Sequence, residues 1–228
     1  MRIRAVVPAA GTGRRFGGEV PKQYLDIHGR TVMQWTLDLL GSIAAIDEIV
    51  VALHPDDTLA STLTYLHPDK LRFTAGGAER SDSVLCGLKA MTAKSDDWVL
   101  VHDVARPCVP VEDILQLLKM AGDDPVGGLL AQPVRDTLKR SSADGLRVGE
   151  TVSREGMWQA QTPQLFRYGL LKAALESAAA RNTVVTDEAS AIEALGFSPM
   201  LVPGSPRNLK ITWPDDLWLA GQILSSSR

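Results

Sequence analysis

An apolar run starting at Ile3 empties into Ala5-Val6-Val7-Pro8-Ala9-Ala10-Gly11-Thr12-Gly13-Arg14-Arg15-Phe16-Gly17-Gly18, with Pro21-Lys22-Gln23-Tyr24 close behind. This stretch limits the fold more than any other. It reads as a buried strand running into a loop whose small residues and glycines let a ligand approach the backbone. Arg14, Arg15 and Lys22 stand in or just beyond that loop, where they would meet a polyphosphate alongside exposed backbone N–H groups. Two familiar phosphate loops are ruled out by single residues. The dinucleotide fingerprint needs a third glycine where Phe16 stands, and a Walker A loop needs Lys-Ser or Lys-Thr where Glu19-Val20 follows Gly18. A plain glycine-rich turn with a solvated basic face accounts less well for so many cations beside so many small residues.

The rest of the chain alternates strand and helix. Residues 31–40 have helical apolar spacing, 46–53 read as a strand ended by His54-Pro55, and Leu59, Leu63 and Leu66 mark a helix capped by Asp56 or Asp57. A strand over 71–75 stops at Gly76-Gly77, and Val84, Leu85, Leu88 and Met91 are helical. The wholly apolar strand 98–101 delivers His102-Asp103, and Ile114, Leu115, Leu117 and Leu118 form the next helix. Strands apolar on both faces and separated by helices predict an α/β fold, a doubly wound, mostly parallel, Rossmann-like sheet.

The rhythm breaks at Pro133. Residues 134–151 are polar, and a hairpin turning at Asp144-Gly145 fits them best. Such a hairpin cannot bury itself, so it is expected to project as an arm over about 134–154 and pack on something else. Afterwards come a short strand over 158–163, helices over 170–181 and 187–195, a strand at Val202, another over 209–212, and a closing helix through Leu217, Leu219 and Ile223. With no repeat or linker in evidence, residues 1–228 are expected to form one domain.

A net charge of −3 argues against a broad nucleic-acid surface, so a polyanionic ligand must be met by a local group of cations. Cys86 and Cys108 lack metal or redox spacing and are expected to be reduced. The chain starts without a signal-peptide apolar region and contains no run long enough to span a bilayer, so no membrane partner and a cytoplasmic location are expected.

In an open parallel sheet ligands bind beyond the carboxyl ends of the strands. The loop at Gly11, the turn at Gly76-Gly77 and Asp103 all fall at such ends. Around the second, Gly77-Ala78-Glu79-Arg80-Ser81-Asp82-Ser83 could contact a flat base, or could be a glycine turn with a capping serine. Asp103 is a carboxylate placed to link a hard cation to phosphates, or a cap of the turn that follows. His102 points to the other side and reads as packed. Thr186-Asp187-Glu188 opens a helix as an N-cap and doubles as an anion site. Lys210, placed inside an apolar strand, needs a partner, either a phosphate or a carboxylate.

Taken in order, PAAGTGRRFG with PKQY, GGAERSDSV, VLVHDVARP, PVRDTLKR, QTPQLF, TDEAS and NLKIT make the chain resemble the 2-C-methyl-D-erythritol 4-phosphate cytidylyltransferases over nearly its whole length. Val104 and Ala78 depart from the usual pattern of that family. The resemblance implies a single nucleotidyltransferase domain that transfers the CMP moiety of CTP to 2-C-methyl-D-erythritol 4-phosphate and releases pyrophosphate. It implies catalytic roles for Arg15, Lys22, Arg154 and Lys210, and a CTP site of Pro8, Ala9, Ala10, Gly11, Thr12, Gly13, Gly77, Arg80 and Ser83. Asp103, Arg106, Thr137 and Thr186 would bind the second substrate, with Asp103 also on Mg²⁺, and a homodimer would share its sites through the arm. A related enzyme taking ribitol 5-phosphate is the nearest alternative; a non-catalytic nucleotide binder and a nicotinamide dehydrogenase fit less well.

Overall fold

The computed structural model describes residues 2–11 and 20–226. Its centre is β1 (Ile3–Ala9), flanked in parallel by β4 (Ile46–Leu53) and β6 (Trp98–Val101), so that Val6 faces Val50 on one side and Val101 on the other. Between β1 and β4 lie the two-residue strands β2 (Asp26–Ile27) and β3 (Arg30–Thr31), paired only with each other, and helix α1 (Val32–Ser42). Strand β5 (Leu71–Ala75) continues the parallel sheet beyond β4.

On the opposite side β6 meets β10 (Trp158–Arg167), which runs antiparallel both to it and to β7 (Gly127–Pro133), and β11 (Met200–Pro203) closes the edge in parallel with β7. The seven-stranded order is β11-β7-β10-β6-β1-β4-β5, with β10 reversed against the rest. This is the mostly parallel α/β sheet that the strand–helix alternation predicts.

Period-two alternation assigns each strand's side chains to two layers. On one face Ile3, Ala5, Val7 and Ala9 of β1 pack with Met33, Leu37 and Leu40 of α1 and with Ile114 and Leu117 of α3 (Val111–Ala121). On the other, Val6, Val50, Val99 and Val101 pack with Val84 and Leu88 of α2 (Arg80–Ala90), Leu171 and Leu175 of α4 (Tyr168–Ala180), and Ile192 of α5 (Glu188–Glu193). A third cluster seats α6 (Pro214–Ser225) through Ala220 and Leu224 against Ile27, Val32, Ala105, Cys108 and Ile211. No described helix is long and apolar enough to cross a membrane.

Three sequence expectations need correction, and one strand has no expectation attached to it. The stretch through Leu59, Leu63 and Leu66 has only one 3-10 turn, 60–62; Asp57 does cap its start, but the Tyr65 hydroxyl takes the Ala60 carbonyl, which a helix would need for its own ladder. The short strand over 158–163 is a ten-residue strand. Residues 209–212 belong to no sheet, because their backbone is bonded elsewhere: Ile211 N–H to the Ala105 carbonyl and Thr212 N–H to Asp216. Finally, β7 is a strand that the apolar pattern does not announce. Its glycines are required by the crowding of the sheet, since a Cβ on Gly128 would lie 2.5 Å from the Met200 carbonyl oxygen.

The polar segment is the hairpin expected of it. Strands β8 (Leu138–Ser141) and β9 (Val148–Val152) pair only with each other around Gly145, which has φ +71°, while Asp144 accepts the Leu146 N–H. Arg140 and Glu150 are paired across it, and at its tip Leu146 is 86% exposed.

Candidate active site

The parallel strands β1, β4, β5 and β6 end on one edge of the sheet, and their following loops converge there. The Gly76 N–H donates to the carbonyl of Leu53 at 2.6 Å, tying the loop after β5 to the end of β4. A Cβ at Gly76 would meet Ala10 at 2.8 Å and the Ser83 hydroxyl at 2.9 Å, so the turn after β5 approaches Ala10, just past β1, as closely as glycine permits. Ser83, in the first turns of α2, accepts the Gly77 N–H and donates to the Glu79 carbonyl, which fixes the turn. Gln23, buried beside Lys22, donates its amide to the Ala9 carbonyl at 3.1 Å and holds the end of β1. The resulting cleft is lined by Pro8, Ala9, Ala10, Gly11, Lys22, Gly77, Arg80, Ser83, Asp103 and Lys210, among others.

Charge is concentrated at the floor of this cleft. The buried Asp103 carboxylate, just past β6, accepts Arg80 Nε at 2.8 Å and Lys210 Nζ at 2.6 Å, with Arg106 Nε 3.9 Å away. Arg80 turns its two remaining nitrogens to Glu188 at 2.7 and 3.0 Å. Burial by itself would push the Asp103 carboxyl up, but Arg80, Lys210 and Arg106 outweigh it and hold the group far below the usual carboxylate range. Burial alone would lower Arg80, yet Glu188 and Asp103 drive it above the ordinary guanidinium value. Arg106 is lowered by burial, only partly offset by Asp103. Three cations against two carboxylates leave one excess positive charge in this group. Lys22 adds another at the rim, where its ammonium donates to the Ile211 carbonyl at 2.9 Å.

The loop after β6 is fixed from behind by His102. Its Nε2 lies 3.1 Å from the Arg106 carbonyl, which can only accept, so the proton sits on Nε2 and Nδ1 accepts from the Thr162 hydroxyl at 3.2 Å. That hydroxyl in turn accepts the Asp103 N–H at 3.0 Å. Complete burial pushes the imidazole down to about 4, so it is neutral, a packed histidine as its place in the sequence indicates.

Of the remaining expected site residues, some stand at this cleft and others do not. Thr12, Gly13 and Arg15 fall outside the described residues. Lys210 is in an irregular segment with its side chain 35% exposed, and its partner is Asp103. Arg106 stands beside Asp103 and donates Nη1 to the Asn208 carbonyl at 2.6 Å. Thr186 is exposed and lines a separate hollow on the far side of Arg80. Asp187 is the N-cap expected there, accepting the Ser190 N–H. Thr137 and Arg154 are exposed at the base of the arm and do not line the cleft of their own chain. The residue that sequence reasoning missed is Glu188, fully buried although it sits in the first turn of α5.

Among the described residues, no cluster of three or more His, Cys, Asp and Glu side chains could hold a metal. Asp103 offers hard oxygen donors suited to a divalent ion, but any ion here must take most of its ligands from a bound anion and water.

A cleft at the carboxyl ends of parallel strands, floored by an Asp–Arg–Lys cluster and bordered by the Gly76-Gly77 turn, is the arrangement of an α/β nucleotide-binding protein of the phosphate-transferring kind. Residues 3–226 match the family model described as 2-C-methyl-D-erythritol 4-phosphate cytidylyltransferase, and the chain belongs to that family. Among its relatives, the 2-C-methyl-D-erythritol 4-phosphate cytidylyltransferase of Shewanella sediminis (strain HAW-EB3) is 51% identical over 226 residues, spanning 99% of this chain and 95% of that protein. That of Dechloromonas aromatica (strain RCB) is 50% identical over 231 residues, spanning 100% and 99%. The crystal structure of the Francisella tularensis enzyme of the same name superposes with a TM-score of 0.85 at 37% identity, covering 98% of this chain and 100% of that one.

Proposed function

We propose that the cleft holds CTP and 2-C-methyl-D-erythritol 4-phosphate side by side and that its cations perform the transfer. The reaction is attack of the alcohol's phosphate oxygen on the α-phosphorus of CTP, with pyrophosphate leaving and the CDP-alcohol as product. The observation behind the assignment of roles is the Asp103 cluster, which shares its cleft with Ala10 and Gly11 just past β1. A phosphate monoester loses its second proton near pH 6, at about one unit below neutrality, so the nucleophile is already an anion and needs no general base. Catalysis then consists of bringing two anions together and stabilising charge at phosphorus.

In this reading Pro8, Ala9, Ala10, Gly11, Thr12, Gly13, Gly77, Arg80 and Ser83 bind CTP, with the backbone around Gly77 and Ser83 beside the base. Arg15 and Lys22 stabilise the triphosphate as charge shifts to the leaving group. Lys210 and Arg106, drawn together by Asp103, receive the phosphate of the second substrate, with Thr186 assigned to the same substrate from the hollow on the other side of Arg80. Mg²⁺, when bound on the triphosphate with Asp103 as a protein ligand, supplies charge neutralisation at the phosphate oxygens. Thr137 and Arg154 act in the neighbouring subunit of a homodimer, which gives the exposed arm a surface to pack on. The 1–228 chain works as a single domain in the cytoplasm, where CTP is available.

The test is a ³¹P spectrum of the products from CTP and 2-C-methyl-D-erythritol 4-phosphate, run in parallel with ribitol 5-phosphate. Coupled diphosphate resonances and free pyrophosphate are expected with the first alcohol phosphate. Their formation only with the second, or with neither, refutes the substrate assignment.

A further inference from the structure

Glu188 has no place in the scheme above. Its side chain is 1% exposed, and it does not line the cleft. A buried carboxylate is costly unless it is fully paired, and this one has both oxygens on Arg80. The guanidinium is a rigid plane with five N–H groups. Glu188 takes one from each terminal nitrogen and Asp103 takes the Nε–H, so the plane has one orientation and two N–H groups remain for a ligand.

Glu188 is itself fixed from the sheet. Gln164 of β10, buried, donates its amide nitrogen to Asp187 at 2.9 Å and accepts the Ala189 N–H at 2.8 Å, gripping the residues on either side of Glu188. An unbroken chain of polar contacts therefore runs from β10 through α5 to Arg80, and from Arg80 to Asp103. It joins three separate sequence stretches, around Gln164, Glu188 and Arg80, none of which is contiguous with Asp103.

We infer that Glu188 is a positioning residue for the transfer reaction: by fixing the plane of Arg80 it sets the seat of the Asp103 carboxylate between Arg80 and Lys210. It has a second effect. By balancing the charge of Arg80 it leaves the excess positive charge of the cluster on the Arg106–Lys210 side, where the second phosphate is received. The inference rests on the functional reading given above, and only its own element, the action of Glu188 through Asp103, is at stake in the experiment that follows.

Glu188→Gln keeps the size and removes the charge, turning an amide N–H towards a guanidinium N–H. Pyrophosphate release is measured well below the unfolding midpoint, with folding checked by circular dichroism, in a cycle with Asp103→Asn. In the otherwise wild-type chain Glu188→Gln should lower kcat about tenfold, with CTP KM raised by a smaller factor because Arg80 also belongs to the CTP site. On the Asp103→Asn background the same substitution should cost less than about threefold in kcat, because the group it positions is already gone. Equal losses on both backgrounds, or an unchanged kcat, overturn the inference, since a merely structural residue would act independently of Asp103. Should Glu188→Gln fail to fold, Glu188→Asp, which keeps the charge but shortens the reach, takes its place in the cycle with the same two outcomes. Wild-type turnover in the same assay separates failure here from failure of the substrate assignment.

Discussion

Asp103→Asn is the perturbation whose effect on stability can be worked out most directly. The carboxylate is buried and in contact with Arg80 and Lys210, with Arg106 close by. The amide would leave three cations facing Glu188 alone, so the excess positive charge of the cluster rises from one to two. Removing one partner of a buried pair costs about 3–5 kcal/mol. The Lys210 side chain is 35% exposed and partly screened by water, which places the expected loss near the lower end, about 3 kcal/mol. For a chain of this size each kcal/mol moves the midpoint by about 2–4 °C, so a fall of about 6–12 °C is expected at pH 7.

The pH dependence of that difference follows from the sign of the shift. A carboxyl whose folded-state value is depressed contributes stability above its unfolded value, about 3.9, and loses it as the pH falls through the lower folded value. The gap between wild type and variant should be flat from pH 8 to pH 5 and narrow only below about pH 4. Pyrophosphate, which supplies the missing negative charge, should raise the variant's midpoint at least as much as the wild type's. Scanning calorimetry or a dye-based melt reads all three. A variant within about 2 °C of wild type at pH 7 would refute the argument that this carboxylate holds the cluster together.

Lys22→Ala and Arg15→Ala should each lower turnover by about two orders of magnitude or more with little change in the midpoint, as expected when a donor worth roughly 3–4 kcal/mol to the transition state is lost; steady-state pyrophosphate release checks this. If the arm serves a neighbouring subunit, inactive Lys22→Ala and Arg154→Ala chains should recover about a quarter of wild-type activity once their subunits exchange, and no recovery despite proven exchange would exclude shared sites. Neutral, buried His102 cannot take the proton that the unfolded chain accepts below about pH 6.5, so stability should fall by about 2 kcal/mol between pH 6.5 and 5 and continue falling to about pH 4. His102→Gln should flatten that slope in urea titrations.

The central strands were legible because β1, β4 and β6 are buried on both faces, so their apolar runs stand out whatever packs on them. The same double burial hides direction: nothing in the composition of β10 distinguishes an antiparallel strand from its parallel neighbours. β7 was hidden for a different reason, because the tight approach of β11 demands glycine where a strand is normally recognised by its β-branched residues. In the site, the residues on strand ends and glycine turns could be placed from the order of elements alone. The partner of Lys210 could not, since a phosphate and a carboxylate satisfy an ammonium equally well until Asp103 is found 2.6 Å away. Glu188 was unreadable because an acid in the first turn of a helix is ordinarily solvated there. Only the folded chain shows that Arg80, 108 positions earlier, closes over it.

The reversed strand also settles the mechanics of the arm. β7 and β10 are antiparallel neighbours, and the Val134 N–H extends their ladder by one more bond to the Met157 carbonyl before the hairpin leaves the sheet. The arm is thus anchored at Val134 and Met157, springs from the same edge at which the parallel strands end, and reaches its own two-stranded ladder through residues 135–137 and 153–156, which pair with no strand. Beyond those two connecting segments its reach grows with the number of rungs, at about 3.4 Å for each residue along a strand. Trimming matched residues from β8 and β9 would draw the tip back in steps set by the strand rise while the anchorage in β7 and β10 stays as it is, making the paired length of the arm a dimension that can be varied without replacing Thr137 or Arg154.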